Sequence, residues 1–144
     1  AINGAAFLFG GLFVLQGGLL ACLGVGRHRL EFGFRGDAAS WLGALFIAYA
    51  MVVYPLIGSA LGHGYPRSPS FGVAPCPTAI FTFGLFLWAQ RRLPAGLLVV
   101  PFLWSLLGFS AAMSLGIRED IGLLAAGIVG TGVILARRRA PAGK

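Results

Sequence analysis

Five stretches of almost uninterrupted apolar residues, separated by short polar segments, set the pattern of this chain. None of the five contains a charged side chain, and each polar segment carries arginine, glycine or proline in place of further periodic sequence. Runs of this kind predict helices that face lipid, because a helix satisfies its own backbone where no water is available. The first helix is expected over about residues 5–25, with Gln16 as the polar amide in its middle. The next is expected over about 41–61, following a loop in which Asp37 or Ser40 can cap its first turn. Pro55 near its far end predicts a bend, since the carbonyl four residues earlier loses its donor.

The segment from Gly62 to Thr78 is rich in proline and glycine, which excludes a regular helix there. The third apolar run, about 78–90, is short. About 13 residues give about 20 Å of helix against a hydrocarbon layer of about 30 Å. The preferred reading is that the proline-rich loop dips inward and is packed between helices, as irregular backbone at that depth requires. Two further helices are expected over about 95–115, with Pro101 inside, and about 121–136, where Glu119 and Asp120 are expected to serve as helix-capping acids beside Arg118. The fold class that follows is all-α: a polytopic transmembrane helical bundle in a single domain spanning residues 1–144, with about five spanning helices.

Charge adds orientation. Arg27, Arg29, Arg35, Arg91, Arg92, Arg137, Arg138, Arg139 and Lys144 fall at one end of such a bundle, and only Arg67 and Arg118 at the other. A bias of this strength places the basic end and the carboxyl terminus in the cytoplasm, and the 62–78 loop outside. The expected location is a plasma membrane, crossed several times. Composition agrees: 58% hydrophobic residues, 10% charged and a mean hydropathy of +0.87 leave too little polar material to coat a soluble globule. The formal charge of +7 does not indicate nucleic acid, because the basic residues sit at helix ends and form no single face interleaved with aromatics. The partners expected are the lipid bilayer and other membrane subunits.

Small residues suggest where helices meet. Gly122, Ala126 and Gly130 recur at four-residue spacing, and Gly108 with Ala112 repeats the theme. Trp41 and Trp88 fall near helix ends as interfacial anchors, whereas Trp104 lies mid-helix and is expected to pack against a partner.

Chemistry is sparse. The absence of any Asp, Glu, Lys, Arg or His within the runs argues against a pump, and His28 and His63 lie on opposite sides, unlike the paired ligands of a b-type haem. Cys22 and Cys76 form neither a disulfide framework nor a metal motif, and no phosphate-binding glycine loop or nucleophile elbow is present. The candidate site is the outer loop with the start of the third helix: His63, Tyr65, Arg67, Cys76 and Thr78. A thiol at a helix amino end feels the helix dipole, and a half-helix terminus can receive an anionic solute. The alternative is purely structural, with Pro75 and Pro77 setting the helix start and Cys76 acting as a small buried hydrophobe.

Several of these residues also carry a family likeness. Gly62-His63-Gly64-Tyr65-Pro66, Pro69-x-Phe71-Gly72, Pro75-Cys76-Pro77-Thr78 with Ile80-Phe81-Thr82-Phe83-Gly84, Pro101-x-x-Trp104-Ser105 and Glu119-Asp120-x-Gly122-Leu123 resemble the bacterial multi-pass membrane family called domain of unknown function 6064. The resemblance covers about Ile2 to Val133 and is densest from Gly62 to Gly84. It implies a membrane bundle, further apolar helices ahead of this segment, and no known activity. The chain opens on Ala1 with no initiator methionine, basic leader or cleavage site, and is expected to be a processed or partial chain. The expected function is a non-enzymatic accessory or structural subunit of a larger plasma-membrane complex; the alternative is a small-solute or metal permease using the loop 62–78.

Overall fold

A computed structural model describes residues 2–62, 72, 74–116 and 118–139, and within them five helices form one bundle. Helix α1 covers Ile2–Ala21 and is continued by a π-helical turn, Cys22–Gly26. Helix α2 runs Ala38–Ala60, α3 Pro75–Leu87, α4 Gly96–Leu115 and α5 Ile121–Arg139. Four of them are long and apolar enough to cross a bilayer; α3 is the short one.

Local chemistry explains where the helices begin and end. Asp37 caps α2, its carboxylate accepting the Ser40 backbone N–H at 2.8 Å, so the helix starts three residues before Trp41. Hydrogen bonds from Ser40, the hydroxyl first and the backbone second, hold the Asp37 carboxyl below the usual carboxylate range. Helix α3 also starts earlier than the apolar run suggests, at Pro75, because proline is well placed in a first turn that has no use for its missing N–H. Gly116 at φ 74° closes α4 in the left-handed conformation that glycine adopts freely.

Both internal prolines leave a mark. Pro55 is preceded by the π-helical turn Tyr49–Val53, in which the Tyr54 N–H reaches back to the Tyr49 carbonyl. Pro101 has no N–H to offer the Leu97 carbonyl one turn earlier. That carbonyl instead accepts the Gln16 side-chain amide of α1 at 2.8 Å, in a setting where Gln16 is 5% exposed. The one polar residue in the middle of α1 therefore answers the vacancy made by a proline on α4. Phe9 and Phe13 complete the contact, stacking edge-on against Trp104 with centroids 4.7 and 5.6 Å away.

The shortest helix lies at the centre. Pro77, Ala79, Ile80, Phe83, Gly84, Phe86 and Leu87 of α3 are all buried, with α2, α4 and α5 around them. Gly43 of α2 and Gly84 of α3 meet backbone to backbone: a Cβ on either would stand 2.7 Å from the carbonyl oxygen of the other. The two helices are antiparallel, so counting from this crossing puts Pro75 opposite about residue 52. Helix α2 thus extends about 12 Å past the start of α3 at about 1.5 Å per residue. Helix α3 therefore begins below the level at which α2 ends; most of the loop expected to dip inward, 62–78, lies outside the described residues.

Gly122, Ala126 and Gly130 line the inner face of α5, within the bundle. A Cβ at Gly122 would overlap the Tyr49 ring of α2, Ala126 is fully buried, and a Cβ at Gly130 would stand 3.1 Å from the Phe83 ring of α3. At the opposite end, Gly33 and Gln90 donate backbone N–H groups to Trp88 and Glu31, joining the 31–33 and 88–90 segments in one antiparallel bridge. The Trp88 indole donates to the Ser40 carbonyl at 2.8 Å, whereas Trp41 is 64% exposed.

Candidate functional site

Three helix segments converge where α3 begins. Tyr54 follows the π-helical turn of α2, Cys76 is the second residue of α3, and Asp120 closes the short 3₁₀ turn Arg118–Asp120 that leads into α5. Asp120 does not cap α5 with its side chain, which corrects the capping expectation for that residue. Its side chain instead turns into the bundle, 2% exposed, and accepts the Tyr54 hydroxyl at 2.5 Å. Tyr54 itself is 1% exposed. A charge-assisted hydrogen bond of this kind is the arrangement a buried carboxylate needs, since an unpaired one is costly.

The Cys76 thiol lies against the Asp120 carboxylate, the Trp104 indole and Tyr54. The Trp104 N–H is buried beside it without completing a hydrogen bond. Nucleophilic attack by the thiol requires a base and a third orienting group. The described residues around Cys76 supply a carboxylate that already accepts the Tyr54 hydroxyl. No group of three or more His, Cys, Asp or Glu suited to a metal ion occurs among the described residues.

Thr78 has a different task. Its hydroxyl donates to the Ala74 carbonyl at 2.7 Å and accepts the Gly72 N–H at 3.0 Å, so it ties the loop to the first turn of α3. Of the five residues expected to form the site, Cys76 and Thr78 are placed on one turn of α3 with separate partners; His63, Tyr65 and Arg67 lie outside the described residues.

Tyr54, Trp104 and Asp120 were not among the candidate residues, yet they surround Cys76. The signals existed: Tyr54-Pro55 interrupts an otherwise apolar run, and Asp120 is one of only four acidic residues in the chain. What the sequence lacked was the level at which α3 starts, which brings those positions together.

No curated protein and no solved structure matches this chain. One family does, across nearly its whole length and including every residue of the cluster. Matched over residues 2–143, the chain belongs to the Family of unknown function (DUF6064).

Proposed function

We propose that this chain is a non-enzymatic accessory or structural subunit of a larger complex in a bacterial plasma membrane, with its carboxyl terminus in the cytoplasm and the 62–78 loop outside. The arginine asymmetry supports the orientation. The observation that carries the subunit reading is α1. Only 6% of the span Phe7–Gly26 is buried in the bundle, against 39% of Gly96–Ser114 in α4. Its free face is notched: Gly10, Gly11, Gly17 and Gly18 each have open space where a Cβ would stand. Lipid chains gain nothing from such a notch, while another helix does, because small residues let backbones approach closely.

The test is particle mass in nanodiscs drawn from native membrane. The wild-type particle is expected to hold at least one polypeptide besides this protein, and Gly17→Leu with Gly18→Leu is expected to reduce it to a single polypeptide. A wild-type particle of one chain ends the reading.

The Tyr54–Asp120–Cys76 cluster favours a second reading, a small-solute or metal permease. Acidic groups buried at membrane depth commonly belong to solute or ion pathways. Here Cys76→Ala and His63→Ala are each expected to abolish uptake or resistance in cells that depend on the protein. Wild-type behaviour in both variants removes this alternative.

A further inference from the structure

At the arginine-rich end, three separate parts of the chain line an open cavity of about 110 Å³. Its wall is cationic: Arg35 from the loop before α2, Arg91 and Arg92 from the turn after α3, and Arg137 and Arg138 from the last turn of α5. No acidic residue is among the described residues that line it. Its floor is apolar, formed by Phe86, Leu93 and Ile134, which are 1%, 3% and 5% exposed.

Two of the arginines are held in place by the fold. Arg137 donates to the Leu87 carbonyl at 3.0 Å and Arg35 to the Ala89 carbonyl at 2.9 Å, so both satisfy acceptors at the carboxyl end of α3. Two acids stand at the rim: Asp37 pairs with Arg137 at 3.2 Å and Glu31 with Arg91 at 2.9 Å. Among the described residues, five arginines line the space and two carboxylates stand at its rim.

We propose that this cavity binds the phosphate group of an anionic phospholipid from the leaflet on the arginine-rich side. Guanidinium groups match phosphate oxygens in forked, bidentate geometry, and several converging from different segments form a site that a diffuse basic surface does not. The same phosphate chemistry is offered by free inorganic phosphate. Position favours the lipid, because the arginines gather at the ends of helices long and apolar enough to cross a bilayer, where lipid phosphates are concentrated. Arginines fastened to helix-end carbonyls are also partly pre-ordered, which lowers the entropic cost of capture. The site is separate from the free face of α1, so its failure leaves the subunit reading to be judged by particle mass alone.

The experiment is native mass spectrometry of the whole chain in maltoside micelles, titrated with phosphatidylglycerol, phosphatidylcholine or inorganic phosphate. One phosphatidylglycerol is expected to be retained in preference to phosphatidylcholine. Arg91→Gln with Arg138→Gln is expected to weaken that binding roughly tenfold to thirtyfold at low salt. If that pair does not fold, Arg138→Gln alone is expected to weaken it roughly threefold to fivefold. Arg27→Gln with Arg29→Gln, basic positions outside the cavity, is the control and is expected to leave the affinity within about twofold. Equal retention of the two lipids overturns the proposal, as does a control pair that weakens binding as much as the cavity pair. Displacement of the lipid by equimolar inorganic phosphate reassigns the site to a free anion and overturns the lipid assignment.

Discussion

Gly84→Ala is expected to destabilise the bundle by about 3 kcal/mol, a large effect for a single methyl group. The added carbon would stand 2.7 Å from the Gly43 carbonyl oxygen and 2.8 Å from the Ile47 side chain. A flexible side chain can swing away from such an overlap, but a backbone carbonyl inside a helix cannot move without shifting the helix. Helix α2 would have to withdraw from α3 along its whole contact, forfeiting the packing around Phe46, Ala50 and Phe83. Gly43→Ala is expected to act similarly, since its Cβ would meet the Gly84 carbonyl at 2.7 Å. The two together should be less than additive, because either one already separates the helices. Gly132→Ala, which has open space around it, is the matched control and should change little. Denaturation by dodecyl sulfate in mixed micelles gives the measurement. A Gly84→Ala protein within about 0.5 kcal/mol of wild type would show that the helices are not in backbone contact.

Tyr54→Phe carries the second large effect. It deletes one oxygen, changes the volume of a fully buried ring very little, and takes from the Asp120 carboxylate the hydroxyl that donates to it. Hydrogen bonds to charged groups contribute about 1.5–3 kcal/mol, and the expected loss lies in that range. Asp120→Asn keeps an oxygen able to accept from Tyr54 and is expected to be the milder change. Asp120→Ala strands the hydroxyl and opens a void, and is expected to be the more severe. The informative quantity is the coupling between Tyr54→Phe and Asp120→Ala in a double-mutant cycle, since each of these removes one side of the hydrogen bond. Coupling near zero would mean that the two residues are neighbours without being partners.

These variants separate contacts that matter for the fold from those that matter for function. Gly43 and Gly84 join α2 to α3 in the half of α3 away from its start, whereas Tyr54 and Asp120 join α2 to α5 at the level where α3 begins. If the permease reading holds, Tyr54→Phe should lose transport beyond what its stability loss explains. Under the subunit reading, activity of the assembly should follow stability alone.

Much of the architecture was legible from residue pattern. Charge-free runs long enough to span, with arginines gathered at alternate ends, announce helices in lipid because there is no other low-energy state for such segments. Helix ends were read less well. The expected third helix was shifted by three residues, since hydropathy begins at Thr78 but helical geometry begins at Pro75, where proline costs nothing. Glu119 and Asp120 looked like one capping pair. Asp120 in fact points inward, because the 3₁₀ turn rotates it toward Tyr54.

Spanning tendency, the basic end and the places where proline would disturb a helix are all local properties, set by each segment's own side chains and their transfer from water to lipid. Which residues fill the gaps left by those prolines is a matter of pairing across the bundle. Gln16 reaches the Leu97 carbonyl 81 positions away, and Tyr54 reaches Asp120 across 66. No local pattern encodes such partners, since any buried donor satisfies any buried acceptor. Only the antiparallel crossing at Gly43 and Gly84, by setting the depth at which α3 starts, selects the ones that meet.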